Sequence, residues 1–278
     1  MTRLLDFTDK TIVITGAASG IGAATAELAA RHGAEVHTID VVPVEVASGR
    51  AGTDHRCDLG RRAAIDAVID ALPDRIDTLM NCAGVPNGGR FTPETVMRVN
   101  WLGLRHLTEA VLPRVPDGGA VVHVASTAGR HWADRVTHHR ELMAATTFGE
   151  GDAWLAANAD VYGDGYSFSK EAVQFYTMWR AVQLLPRGVR MNSLCPGVTA
   201  TPISDDFRRG LGDDVIDHAT AVAGRMADPA EMAPTMLFLA DHASTSYLNG
   251  VNVHVDRGTA AARATDQSDP SLIWGPPG

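Results

Sequence analysis

The chain reads as one α/β domain in which a parallel sheet is wound in both directions and covered by helices on both faces. Three observations predict this. Short β-branched runs alternate with helical patterns along most of the length. The runs are apolar throughout instead of alternating, as strands buried on both faces are. And 278 residues suit one large domain, which buries roughly 75% of its unfolded surface without a metal or disulfide staple.

The elements follow in order. Thr11–Ile14 is a compact strand, and Gly20 to His32 a helix with Ile21, Ala24, Leu28 and Ala29 on one face. Glu35–Ile39 is the second strand and His55–Cys57 a short third. Ala63–Leu72 is helical and Thr78–Met80 a strand. Pro93 to Leu112 reads as a single long helix with proline in its first turn. The strand Ala120–Val124 precedes a long helix, Tyr166–Leu185, stopped by Pro186 and Gly188. Val189–Leu194, the helix Ala230–Leu239 and Val251–Val255 close the pattern. Crossovers between parallel strands are expected to be right-handed. The domain spans 1–258; a segment at 130–165 and a tail at 259–278 break the rhythm, the tail reading as disordered or as cover for a neighbour's site.

Composition excludes several roles. The formal charge is −9, and nucleic acid needs a basic face. Three cysteines, Cys57, Cys82 and Cys195, without a C-x-x-C spacing argue against a disulfide framework or a zinc site. Reduced thiols point to the cytoplasm. Met1 to Lys10 lacks the apolar core of a signal peptide. No run of about 18 apolar residues is present to span a membrane.

The first strand runs into Thr15-Gly16-Ala17-Ala18-Ser19-Gly20-Ile21-Gly22 and then a helix. Glycines permit the tight turn and the close approach of backbone to pyrophosphate, while the helix N-terminus offers unpaired N–H groups and a positive dipole. A structural glycine turn is the plainer reading. Asp40, ending the second strand 18 residues after Gly22, sharpens the case. A carboxylate there accepts both hydroxyls of an adenosine ribose and repels a 2′-phosphate. Neither Ser19 nor Val41 is basic, so NAD is favoured over NADP in a Rossmann-like site.

Tyr166-Ser-Phe-Ser-Lys170 opens the long helix, with tyrosine and lysine four apart on one face. A phenol near pKa 10 is a poor base at neutral pH, and a cation one turn away is expected to lower it. Only Lys10 and Lys170 among the 24 basic residues are lysines, and only four tyrosines exist, so the pairing is not a common accident. Ser126 lies where the Ala120–Val124 strand ends, at the edge that borders ligands in open parallel sheets. It could hold the reacting oxygen near Tyr166; Thr127 competes for that role, and a plain strand-end serine is about as common.

Together these residues resemble the short-chain dehydrogenase/reductase family from about Lys10 to Gly258. The similarity also covers Asp58-Leu59, Asn81-Cys82-Ala83-Gly84, Asn100 in Val99-Asn100-Trp101, and Pro196-Gly197-x-x-x-Thr201. It implies that Ser126, Tyr166, Lys170 and Asn100 are catalytic, Asn100 through a water that relays protons to Lys170. It implies cofactor contacts from Gly16, Ser19, Gly20, Ile21, Gly22, Asp40, Asp58 and Leu59. It adds Asn81, Ala83 and Gly84 along the adenine ribose, Lys170 on the nicotinamide ribose, and Pro196, Gly197, Val198 and Thr201 near the carboxamide. Asn81 and Asn100 could equally cap backbone. No metal is implied.

Ser126 and Tyr166 stand 40 residues apart, farther than is usual in the family, so an insertion lies between them. A similar insert occurs in the 3α-hydroxysteroid dehydrogenase/carbonyl reductase branch, and Tyr166 to Val173 resembles coniferyl-alcohol dehydrogenase-like members. Trp132, Trp154 and Leu155 would give an apolar wall at the substrate mouth, or else pack inward. Residues 198–228 resemble a substrate lid, with Phe207 and Met226 toward ligand and Leu211 to Asp214 flexible. The resulting expectation is an NAD-dependent enzyme acting on a hydrophobic secondary alcohol or ketone, steroid-like first. Aryl allylic alcohols come next and 3-oxoacyl thioesters third. A catalytically inert NAD-binding regulator is the rival class. A homo-oligomer, tetramer or dimer, is expected; the insertion would limit it to a dimer if it covers the Tyr166 helix.

Overall fold

The computed structural model describes residues 5–46, 50–211, 216–217 and 220–270, without the side chains of 50–51, 205, 207 and 209–211. Seven strands form one sheet: β1 (Thr11–Thr15), β2 (Glu35–Asp40), β3 (Arg50–Arg56), β4 (Thr78–Asn81), β5 (Ala120–Val124), β6 (Arg190–Pro196) and β7 (Asn252–Val255). Their spatial order is β3-β2-β1-β4-β5-β6-β7, and every pairing is parallel. Thr15 pairs with Ile39 on one side and Asn81 on the other. The winding reverses between β1 and β4, and that reversal opens a crevice at the carboxyl ends of the strands.

The continuous apolar runs are explained by two cores, one on each face. Ile12 and Ile14 of β1 face one core while Val13 faces the other, and Val121 and Val122 of β5 divide in the same way. One face is filled by α1 (Gly20–Arg31) and the helix Pro229–Ala240, with Ala26, Ala29, Met236 and Leu237 buried. The other carries α2 (Arg62–Ala71), with Ile65 and Val68 buried, and Trp101, Leu107, Phe168 and Tyr176. Trp101 meets Tyr176 edge to face at 5.5 Å between ring centres.

The helix expected over Pro93 to Leu112 is divided. It runs as α3 (Pro93–Met97), a π turn (Arg98–Gly103), α4 (Leu104–Val111) and a 3-10 turn to Arg114. Gly103 explains why the interruption is tolerated there. A Cβ at this glycine would lie 2.0 Å from the Leu59 carbonyl oxygen, so the helix rests directly on the chain after β3. Asn100 sits within the wide turn, as residues at π bulges often do at functional sites.

The segment between Ser126 and Tyr166 is mostly helical. A 3-10 helix (Thr127–Arg135) leads to α5 (Val136–Ala144), α6 (Phe148–Ala157) and α7 (Ala159–Tyr162), and then to α8 (Tyr166–Leu184). The apolar wall at the substrate mouth is not found. Trp154 stacks on Phe168 at 5.7 Å, Trp132 lies 6.3 Å from Phe175, and Leu155 is buried. The reason is that α8 presents aromatic residues on its outer side, and the insertion buries its own against them. His139 stacks between Phe168 and Phe175. The fully buried Glu171 carboxylate takes Arg135 at 2.5 Å and lies 3.3 Å from His139. Arg105 donates to the carbonyls of Leu142, Met143 and Ala145 and so ties down the end of α5.

Disorder is also not found at the start of the tail. Thr259–Ala264 forms a helix whose first N–H groups, from Gly258 and Ala260, donate to Asp256. Trp274 and the chain end lie outside the described residues. Replacing Gly103 by Ala forces the π turn off Leu59. Urea unfolding is expected to show a loss of about 1–3 kcal/mol, and a wild-type midpoint would refute this reading of the contact.

Candidate active site

The glycine-rich turn is shaped by backbone contact. A Cβ at Gly16, where φ is +67°, would lie 2.6 Å from the Ala83 backbone. One at Gly22 would lie 2.1 Å from the Gly16 carbonyl oxygen. The turn is thereby pressed between α1 and the chain after β4. Ser19, the N-cap of α1, is extended, makes no side-chain cap, and no acid occupies the first turn. The first N–H groups therefore face the crevice uncapped and suit an anion. Asp40 borders the same end, its carboxylate accepting from the Ala18 and Val42 amides.

These residues line one cleft of about 830 Å³ along the carboxyl ends of the strands. Gly16, Ser19, Gly20, Ile21, Gly22, Asp40, Asp58 and Leu59 line one end. Ala83 and Gly84 line its middle, and Ser126, Tyr166, Lys170, Pro196, Gly197, Val198 and Thr201 the other end. Asn81 and Asn100 are brought nearby but do not line it. Asn81, the last residue of β4, is buried beneath the cleft, with its amide on Thr108 and His123. Asn100 accepts from the Val85 amide at 2.8 Å, donates to the Val85 carbonyl at 3.0 Å, and donates to Ser169. Its side chain thus ties the loop after β4 to the first turn of α8. Met226 lies outside the cleft, against Arg208. The side chain of Phe207, and Gly212 to Asp214, lie outside the described residues.

Ser126 and Tyr166 share a hydrogen bond. The Ser126 hydroxyl also accepts from Ala128, and its carbonyl accepts from Gln174 of α8, so strand end and helix are fixed to one another. Asp164 accepts from the Tyr166 amide and begins α8. Lys170 is buried, with Nζ donating to the Val124 carbonyl at 3.0 Å and lying 5.8 Å from the centre of the Tyr166 ring. Burial lowers the Lys170 ammonium to about 8, against an upward pull from Cys195 and Cys82.

Tyr166 departs from expectation. Burial pushes its phenol above the ordinary value; the Ser126 hydrogen bond pulls it down and the Asp164 charge pushes it further up. The downward shift expected from Lys170 is not the ruling effect, because the ammonium lies over the ring and is itself costly to keep charged. Burial raises Cys82 to about 12 and Cys195 to about 11, so both thiols under the site stay protonated.

Residues 10–138 match the family described as short chain dehydrogenase, and 155–260 match Enoyl-(Acyl carrier protein) reductase. The chain is 39% identical to Coniferyl-alcohol dehydrogenase of Pseudomonas sp., over 92% of this chain and 99% of that protein. It is 32% identical to 3-alpha-hydroxysteroid dehydrogenase/carbonyl reductase of Comamonas testosteroni, over 92% and 98%. The chain belongs to the short-chain dehydrogenase/reductase family. Among solved structures, a putative NAD(P) dependent gluconate 5-dehydrogenase from Beutenbergia cavernae, with bound NADP, superposes with TM-score 0.72. The two are 26% identical, over 93% of this chain and 100% of the other. The protein is therefore an oxidoreductase of this family.

Several cleft residues escaped the sequence reading. Val85, Pro86, Asn87, Arg90 and Phe91 lie in the loop after β4 and line the mouth. The rule that strand ends border ligands would have found that loop. The insertion reaches the cleft only near its ends, through Thr127, Ala128, Arg130 and Asp164. Arg263 of the terminal helix also lines it, and no local pattern announced that.

The buried lysine links stability to pH. Its folded value of about 8 lies below the ordinary 10.5, so between those values the unfolded chain binds more protons and stability rises with pH. Relative to Lys170→Met, the wild type is expected to gain unfolding free energy from pH 8 to pH 10 in urea titrations. A difference that stays flat or falls over that window refutes the assignment.

Proposed function

We propose that the protein is an NAD-dependent oxidoreductase interconverting a bulky apolar alcohol and its carbonyl form, with Tyr166 as the acid/base. The observation that carries this is the hydrogen-bonded Ser126–Tyr166 pair opening on the cleft with the Lys170 ammonium beside the ring. A dinucleotide fits the residues present: glycines that leave room only for backbone, an uncapped helix N-terminus and Asp40 at the strand end. When bound, nicotinamide supplies the hydride acceptor or donor.

The chain's own residues then do the rest. In the oxidative direction Tyr166 takes the alcohol proton; in the reductive direction it returns it. Ser126 holds the substrate oxygen at the phenol, and its hydrogen bond favours the ionised form. Lys170 keeps a positive charge beside that ring. Asn100 is a positioning residue, since its side chain is spent on Val85 and Ser169. An inert nucleotide-binding regulator would need none of this arrangement.

NAD is favoured over NADP because no arginine or lysine lines the cleft around Gly16 to Gly22, Ile39 to Val42 or Cys57 to Leu59. Arg56, paired in register with Asp40, gives its guanidinium to the Val41 carbonyl. Val85, Phe91, Val99, Ile203 and Ile216 supply an apolar lining for substrate. That supports a hydrophobic alcohol, steroid-like or aryl, and the 39% relative favours an aryl allylic one. A symmetric homo-oligomer belongs to the same reading. The insertion covers Phe168 and Phe175, while Trp179 and Val182 farther along α8, and Leu185 just after it, stay exposed, which favours a dimer over a tetramer. The free cysteines favour a reducing, cytoplasmic setting.

Tyr166→Phe is expected to fold and bind NADH, seen by fluorescence titration, while turnover of aryl and steroid alcohols falls about 10²–10⁴-fold. Turnover near wild type refutes Tyr166 as the acid/base. Asp40→Ser is expected to raise KM for NAD about tenfold and to narrow the preference over NADP. A wild type that turns over faster with NADP overturns the cofactor assignment.

A further inference from the structure

Among the described residues, three arginines line the cleft; Arg90 lies over the Phe91 ring, while Arg130 and Arg263 have no such neighbour. Arg130 stands four residues after Ser126 on the 3-10 helix, and Arg263 lies on the terminal helix Thr259–Ala264. They come from segments 133 positions apart in sequence, yet line the same cleft as Ser126 and Tyr166. Neither is in an ion pair or side-chain hydrogen bond, although the remaining arginines of the insertion and of α8 include pairs such as Arg135 with Glu171 and Arg180 with Glu109.

Burial and the nearby Arg130 charge both lower Arg263, while Asp256 raises it. Arg263 is half-buried and Arg130 exposed, so the two cations lie near one another at the open side of the cleft. The acids nearby are occupied. Asp256 accepts from the Gly258 and Ala260 amides, and Asp164 from Asn87 and the Tyr166 amide. Asp206, which also lines the cleft, has a partner of its own. Two like charges lining the same part of a cleft repel one another, and an oxyanion between them reverses the sign of that interaction.

We propose that the substrate carries an oxyanion, a carboxylate or a phosphate, held by Arg130 and Arg263 while its apolar body lies along the cleft toward Ser126 and Tyr166. This rests on the alcohol-oxidoreductase reading and narrows its substrate class to amphipathic hydroxy or oxo acids. Arg130 is one 3-10 turn and a residue from Ser126, roughly 8 Å along the helix axis. The anionic group therefore sits several bonds from the reacting carbon, as across an aromatic ring. The terminal helix acts here as a specificity element, since it brings Arg263 to the site.

The test uses 4-(1-hydroxyethyl)benzoate, its methyl ester and 4-(1-hydroxyethyl)phenyl phosphate with saturating NAD. The wild type is expected to prefer one of the anions over the ester by about tenfold or more in kcat/KM, with a preference that weakens as salt rises. Which anion wins separates carboxylate from phosphate. Arg130→Gln/Arg263→Gln is expected to bring the anion-to-ester ratio close to one, and Arg263→Lys to keep part of it. Calorimetry with 4-acetylbenzoate and its methyl ester reads the same preference without turnover, and thermal unfolding checks that the variants fold. Equal use and equal binding of anion and ester by the wild type overturn the proposal. So does a variant effect confined to KM for NAD, which would put the arginines on the cofactor. Failure of every alcohol while the anion still binds preferentially would refute the oxidoreductase reading and leave the anion site standing.

Discussion

A buried ammonium organises this protein. Lys170 is held under the carboxyl end of β5 by the Val124 carbonyl, in a place where burial brings it down to about 8. Keeping a charge there costs folding free energy, and its neighbours form a small set of fixed contacts. Gly84 lets the chain pass close to Asn100: a Cβ at that position would lie 3.3 Å from the Asn100 oxygen. Asn100 then joins the loop after β4 to Ser169, the residue before the lysine. The π turn in the preceding helix and the contact of Gly103 with Leu59 belong to the same arrangement.

The helix that carries Tyr166 and Lys170 is held on both sides. On its inner side Gln174 donates to the Ser126 carbonyl, while Tyr176 packs on Trp101 and donates to Glu109. On its outer side the insertion stacks Trp154 and His139 on Phe168, and Arg135 and His139 approach the buried Glu171. Glu171 follows Lys170 directly in sequence, so the insertion grips α8 one residue from the ammonium. Its aromatic residues therefore stiffen the site from behind instead of shaping the substrate mouth. Rigid elements around a reacting group are what allow position alone to contribute to rate.

Much of the cleft was legible in the sequence because its signals are local. Gly16 to Gly22, Asp40, Tyr166 and Lys170 act through spacing along a turn, a strand end and a helix, and backbone geometry carries those spacings into space. The inner strands were legible as well, since burial on both faces leaves an apolar run; β3 at the sheet edge carries no such run, and it spans Arg50–Arg56 where only His55–Cys57 was expected. The long helix over Pro93 to Leu112 was read as uninterrupted because a π turn has no compositional mark. The π turn ends at Gly103, which rests on Leu59, a residue remote in sequence. The direction of the Tyr166 shift was misjudged for a related reason. A neighbouring charge can be read from sequence, whereas depth of burial depends on everything packed above it.

The sequence by itself determined the doubly wound sheet, the glycine-rich turn after β1 and the serine, tyrosine and lysine that meet at the strand ends. Each follows from periodicity or from fixed offsets within a single element. Only the tertiary structure decided that Asn81 lies beneath the cleft and not in it, that the insertion faces α8, and that Arg130 and Arg263 line one cleft. Those outcomes depend on which surfaces bury one another across long stretches of chain, and no local pattern encodes that.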